Sequence, residues 1–461
     1  MRLLACIAAL ILAGAGHAAA VSPPSDAAVA KAVRKALEQA AAPEGPGVVA
    51  LVAKGDRVVY REARGLAQLE LGVPLTTQHV FRIASVTKIF TAATVLKLAE
   101  QGKLSLDDPL AAHLPDFPHA GEITLRQLLN HTAGVSDAAA DPQPGFSRRE
   151  IDTATLIAEI GKRPLDFAPG TRWAYSNAGY VLLGAVIEKV TGEPWHVAMQ
   201  KLFAQPLDLR DTRYGDESTL IPRRVAGYTT DSRSRVVRNP VPISSSIPAA
   251  AGGLVSTADD LLRWMRALAD GSAVGRQGFA EMIAPPDLPQ NSERYGLGMY
   301  LWTVRGQPMV GHTGQINGFS SILAYLPEQD ITIVALANDD HFDAKTMGRR
   351  LAAIALGDPY ADVMPVSPSP EALRTLAGTY RYDENTLQTL SVRDGKLYSQ
   401  RQGRGAIPLQ VDAGGRLYFV PDEISYFVPV RDAHGNVIRL DFFRSGEGPP
   451  RAMPRVDPPA R

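Results

Sequence analysis

Cysteine is all but missing from this sequence. Cys6 is the single one among 461 residues, so the chain has no means of forming an internal disulfide, a cysteine-ligated metal site or a dithiol redox pair. An excess of either charge is missing too. Lys+Arg and Asp+Glu stand at 48 each, which leaves no basic surplus for nucleic acid or an anionic membrane surface. After the first twenty residues no apolar run is long enough to span a bilayer. No Gly-x-Ser-x-Gly occurs, which argues against the α/β-hydrolase elbow. No His-Glu-x-x-His occurs and the nine histidines are scattered, so neither a metal nor a cofactor is expected.

What is present begins with a targeting pattern. Arg2 precedes an apolar or small stretch, Leu3 to Gly16, and Ala18-Ala19-Ala20 offers a small-residue cleavage site before Val21-Ser22-Pro23-Pro24. This predicts a signal peptide over 1–20 and a periplasmic or secreted product that keeps no integral membrane segment and no thiol. The whole sequence is 45% hydrophobic, enough for a large core.

Periodicity predicts a helix over 27–41, then a hairpin from Val48–Ala53 and Val58–Tyr60 around Lys54-Gly55-Asp56. Strands at Ser320–Tyr325 and Ile331–Ala337 and a helix over Ala344–Leu356 close the main region. Between them the pattern is mostly helical, including an apolar helix over Thr87–Gln101 that stops at Gly102. Strands at both ends with helices between predict an α+β, mixed α/β layered domain over 21–356: one antiparallel sheet with a helical insertion. A Pro-rich linker is expected over 357–370. Short β-prone runs separated by Asp394-Gly395, Gly414-Gly415 and Gly435-Asn436 then predict a small all-β, barrel-like domain over 371–447. The Pro/Arg-rich tail, 448–461, reads as disordered.

Three short patterns carry chemistry. In Ser85-Val86-Thr87-Lys88, i,i+3 spacing at a helix start puts a hydroxyl and an amine on one face. Serine needs a neighbouring base to become a nucleophile, and the helix N-terminus offers N–H groups where negative charge develops. In Tyr175-Ser176-Asn177, a phenol beside an ammonium is expected to have a lowered pKa and to relay protons. Asn177 could orient a substrate carbonyl, hold the lysine, or merely cap the following helix. In His312-Thr313-Gly314, followed by Gln315, a small motif on an edge strand lets backbone N–H groups face an acyl carbonyl and aligns a peptide-like substrate. Each pattern alone arises by chance, as His119-Ala120-Gly121 shows.

Together, with Tyr175 standing 90 positions after Ser85 and His312 a further 137, they resemble the serine β-lactamase-like family of class C β-lactamases, DD-peptidases, D-aminopeptidases and esterases. The likeness covers about residues 27–356 and extends to Leu128–Gly134, Ala251–Thr257 and Gly311–Phe319. It implies an acyl-enzyme at Ser85, with Lys88 and Tyr175 sharing base and acid roles and Asn177 contacting the substrate amide. It also implies an oxyanion hole from the N–H groups of Ser85 and Gln315, and a His312 that lines the acyl pocket and bonds Tyr175 or a substrate carboxylate. True class C β-lactamases resemble the pattern with Lys-Thr-Gly at the third motif. Histidine there offers little permanent charge at pH 7. The substrates implied are small esters, amides or peptides. A β-lactamase proper, or a penicillin-binding sensor or scaffold without turnover, stays open. The C-terminal domain resembles the lipocalin-like barrels of some relatives.

Overall fold

Strand-forming runs from the two ends of the main region meet in one sheet. The computed structural model describes residues 24–137, 145–231, 234–288, 294–420 and 423–456; the expected signal peptide lies outside them. The main strands are β1 (Val48–Lys54), β2 (Arg57–Arg64), β3 (Arg294–Tyr295), β4 (Tyr300–Val304), β5 (Gln307–Ile316), β6 (Phe319–Leu326) and β7 (Ile331–Ala337). They lie in the order β3-β4-β5-β6-β7-β1-β2 and every pair is antiparallel. The helices that matter here are α1 (Asp26–Ala40), α2 (Thr87–Glu100), α3 (Asn177–Thr191), α4 (Ala258–Ala269) and α5 (Ala344–Leu356).

The central strands are apolar at nearly every position because both faces of the sheet are covered. Along β1, Val49, Leu51 and Ala53 enter the core shared with the helical insertion. Val48, Ala50 and Val52 enter a second core beneath α1 and α5. The period of two therefore divides one strand between two cores. α2 runs through the middle of the insertion and is buried from Thr87 to Leu96. Over that stretch no face meets water, and polar Lys97 and Glu100 come only in the last, partly exposed turn. The chain is thus the mixed α/β arrangement expected, with a nearly closed barrel after it.

That barrel is a meander of eight strands from Gly378–Arg381 to Arg451–Pro454. Its interior is filled by Leu390, Leu397, Leu409, Leu417, Phe427, Leu440 and Met453, and Leu373 and Leu376 of the Pro370–Leu376 helix pack against them. Among the described residues, these side chains pack together in the middle.

Two expectations change. The linker, 357–370, contains a strand at Pro365–Val366 that pairs with Val411–Asp412, and Pro370 opens a helix capped by Ser369, Pro at the first position being a start signal. The tail, 448–461, is not disordered throughout, since Arg451–Pro454 pairs with the Val437–Phe443 strand. Composition pointed to disorder, but burial of Met453 and the open edge of that strand outweigh it. The last residues, 457–461, lie outside the described set.

Glu447 ties the barrel to the main domain. One oxygen accepts from Arg349 Nη2 of α5 at 3.0 Å and from the Tyr360 hydroxyl, and the other accepts the Arg305 N–H at 2.8 Å. Arg349 and Glu447 side chains are only 6% and 12% exposed. Removing one partner of so enclosed a pair leaves the other charge uncompensated, at a cost of about 3–5 kcal/mol. Glu447→Ala is therefore expected to lower the thermal midpoint by several degrees while leaving the distant hydroxyl–amine pair intact; an unchanged melting curve would show the clasp to be dispensable.

Candidate active site

Ser85 sits in the Ala84–Val86 turn that leads into α2. From Val80 to Leu96 it is the one residue that is not buried. The turn is held from behind. Ile83 N–H donates to Leu254 O at 3.1 Å, Thr87 Oγ1 accepts from Leu254 N–H at 3.2 Å, and Ser321 Oγ donates to Ile83 O at 2.8 Å. Ala84 carries φ +46°, a strained angle for a residue with a Cβ and one that accumulates at functional turns.

Lys88 lies one turn further on, fully enclosed. Its Nζ donates to Ser85 Oγ at 3.1 Å, to Asn177 Oδ1 at 2.7 Å and to Ala251 O at 2.8 Å. Burial pulls its pKa from 10.5 down to about 7, with the Asp137 carboxylate opposing the fall. The neutral amine can keep its two N–H bonds to Asn177 and Ala251 and turn its lone pair toward the Ser85 hydroxyl. That is the geometry of a general base.

Tyr175 brings its ring to 4.9 Å from Lys88 Nζ, and its hydroxyl bonds Ser85. The expected lowering of its pKa is reversed. Burial, reinforced by neighbouring Tyr300, holds the phenol well above 10 despite the Ser85 contact. Tyr175 is thus a neutral donor at physiological pH. Asn177 does hold the lysine. It does not cap α3, because Ser176 takes that position and its Oγ accepts from Gly179 N–H at 3.1 Å.

His312 faces the same cleft but is occupied. Its Nδ1 donates to the Thr313 carbonyl at 2.5 Å, so Nε2 is the acceptor and takes the Tyr295 hydroxyl at 3.0 Å. Both ring nitrogens are spent inside the protein. Its partner is Tyr295, not Tyr175 or a substrate carboxylate, and burial drives its pKa to about 3, so it carries no charge. Thr313 pairs with Ile322, whose side chain belongs to the outer core. Alternation therefore turns Thr313 and Gln315 away from the Ser85 face, and Gln315 Nε2 donates to Asp340 O at 2.8 Å. Only backbone groups of these two residues can serve an acyl group. Gly314 is required by space: a Cβ there would stand 2.2 Å from Ile83 O and 3.1 Å from Ala84 Cβ, so only glycine lets β5 lie against the Ser85 turn. β4 pairs with β5 no further than Gly311. Among the described residues, the 312–316 edge beside Ser85 is without a strand partner.

Two residues escape a reading of sequence. His131, in the Leu128–Gly134 segment, packs its ring 4.4 Å from Tyr175, and its Nδ1 accepts Ser176 N–H at 3.1 Å. It fixes the loop that presents Tyr175 and is neutral, burial holding it well below its ordinary range. Gly134 (φ +73°) follows, where a Cβ would meet Phe167 O at 2.1 Å. Asp137 accepts Asn177 N–H at 2.7 Å and Asn177 Nδ2 at 3.0 Å. No motif pointed to it.

Asp339, Asp340 and His341 bring ligand atoms within 4.8 Å of one another. Their carboxylates are engaged by Thr230 N–H and Oγ1, Thr229 Oγ1 and Gly318 N–H, so they fasten loops beside the sheet and offer a poor cation site.

Comparison with known proteins shows the family and the fold. A family model described as Beta-lactamase matches residues 30–356. Esterase EstB of Burkholderia gladioli is 31% identical over 312 residues, which is 59% of this chain and 79% of the esterase. The D-amino acid amidase from Ochrobactrum anthropi SV3, solved with D-phenylalanine, superposes with TM-score 0.64 at 27% identity, covering 71% of this chain and 98% of the amidase. An octameric penicillin-binding protein homologue from Pyrococcus abyssi superposes with TM-score 0.64 over 93% of this chain and 100% of its own. At 24% identity that last likeness is one of fold, and its span takes in the C-terminal barrel.

Proposed function

Because the chain belongs to the Beta-lactamase family of serine hydrolases, we propose that it hydrolyses small esters and amides through an acyl-enzyme on Ser85. One contact carries this: a fully enclosed amine whose pKa lies near neutrality, 3.1 Å from the one open hydroxyl of its segment. Neutral Lys88 takes the Ser85 proton as Oγ bonds the carbonyl carbon. The carbonyl electron pair moves to oxygen, where the N–H groups of Ser85 and Gln315 receive it. The tetrahedral adduct collapses, expelling an alcohol or amine that takes a proton from Tyr175, which Lys88 reprotonates. Water then repeats the sequence on the acyl-enzyme, releasing the acid and restoring Ser85.

A neutral, internally bonded His312 supplies no cation for a substrate carboxylate, which favours esters and amides over β-lactams. The enzyme works outside the cytoplasm with residues 1–20 removed. Intact mass spectra of protein recovered from the periplasmic or culture fraction test both points. An activated ester and a D-amino-acid amide are expected to give a transient acyl adduct on a chain starting at Val21, and a chromogenic cephalosporin a slow or lasting one. A cephalosporin that turns over faster than the ester would make the protein a β-lactamase proper; lasting adducts from every donor would make it a penicillin-binding sensor. A mass that still includes Met1 would overturn export.

A further inference from the structure

Asn177 can face Lys88 in two ways, and something must choose between them. An amide has an acceptor end and a donor end, and a lysine that presents N–H groups is satisfied only by the acceptor. Asp137 supplies the choice. Its Oδ2 accepts Asn177 Nδ2 at 3.0 Å, which leaves Asn177 Oδ1 to accept from Lys88 Nζ at 2.7 Å. Its other oxygen takes the Asn177 and Ala178 N–H groups, at 2.7 and 3.3 Å, and so binds the first turn of α3.

We infer that Asp137 is a positioning residue: through the Asn177 amide it fixes where the Lys88 amine points and keeps it aimed at Ser85. This rests on the reading of Lys88 as the base. Other elements also press titratable groups on Lys88: Tyr175 and Tyr180 from around the start of α3, at 4.9 and 5.4 Å from ring centre to Nζ, His131 from the 128–134 segment and His312 from β5. All four are neutral near pH 7. Among the described residues, Asp137 is the one whose field favours the ammonium. It also engages the Asn177 amide nitrogen that family resemblance assigns to the substrate.

Asp137→Asn keeps the shape but puts a donor against Asn177 Nδ2, so the amide is driven to turn its nitrogen toward Lys88. Turnover of an activated ester is then expected to fall roughly 10- to 100-fold in kcat, the range that a small misplacement of a reacting group produces. With the carboxylate and the Asn177 acceptor both lost, the amine gives up its proton more readily. The acid limb of the kcat/KM profile is expected to move down by about one pH unit. A residue that only caps α3 would lower the melting temperature and leave both kcat and the limb where they were, and that result overturns the inference. Asp137→Ala, compared at a temperature where it is folded by circular dichroism, serves if the first variant does not fold; the same two readouts apply. Phosphonate labelling of the wild type separates the layers: no labelling at Ser85 removes the proposed function, whereas normal labelling with an unmoved Asp137→Asn profile removes only the role of Asp137.

Discussion

Ser85→Ala is expected to abolish ester turnover, a loss of roughly 10⁴-fold or more, in a protein that folds as before. The argument for both halves comes from the same surroundings. Every neighbour in the Val80–Leu96 stretch is packed inside, so the turn and α2 owe their position to those contacts and to the bonds from Leu254 and Ser321. The hydroxyl is bonded by Lys88, which retains Asn177 and Ala251 as acceptors, and by Tyr175. Losing two such hydrogen bonds costs about 2 kcal/mol, too little to unfold a domain of this size. Chemistry has no such reserve, because nothing else open at that turn can form the acyl bond. A fluorophosphonate should therefore label the wild type once, at Ser85, and leave the variant unlabelled with an unaltered circular-dichroism spectrum. Turnover that survives in the folded variant would remove the acyl-enzyme mechanism.

The parts legible in the sequence are those set by local spacing. Ser85 and Lys88 share a helix start, so i,i+3 geometry alone brings them together. The sheet halves are readable because β1, β6 and β7 are apolar at nearly every position, and the Asp394-Gly395 turn because both residues must take positive φ (+50° and +71°). What is hidden is decided by burial and by long loops. The sign of the Tyr175 shift depends on whether enclosure or the nearby amine dominates, and only packing against Tyr300 and Tyr180 shows that enclosure does. The partner of His312 comes from a two-residue strand, Arg294–Tyr295. Asp137 reaches Asn177 from a loop without motif or periodicity, and Arg451–Pro454 earns its strand from a neighbour's open edge rather than its own residues.

Lys88→Met is expected to slow acylation by about 10⁴-fold and to erase a pH dependence that the wild type shows in both rate and stability. In the wild type only the neutral amine can accept the Ser85 proton, so kcat/KM rises as pH climbs through about 7 and flattens above it. Stability follows with its own sign. The folded-state value, about 7, lies below the ordinary 10.5 of a solvated lysine, so between these limits the unfolded chain holds a proton that the folded one does not. Stability of the wild type must therefore increase with pH across that window, relative to a variant lacking the group, and show no such drift below it, where both states are charged. Denaturant unfolding of wild type and Lys88→Met at pH 6, 8 and 10 reads this directly. The methionine keeps the volume while leaving Asn177 Oδ1 and Ala251 O without their donor, so the absolute offset between the proteins combines several contributions and only its slope with pH reports the amine. A widening advantage of the wild type toward pH 10 is the expected result. A constant offset would mean that Lys88 is charged throughout and cannot be the base.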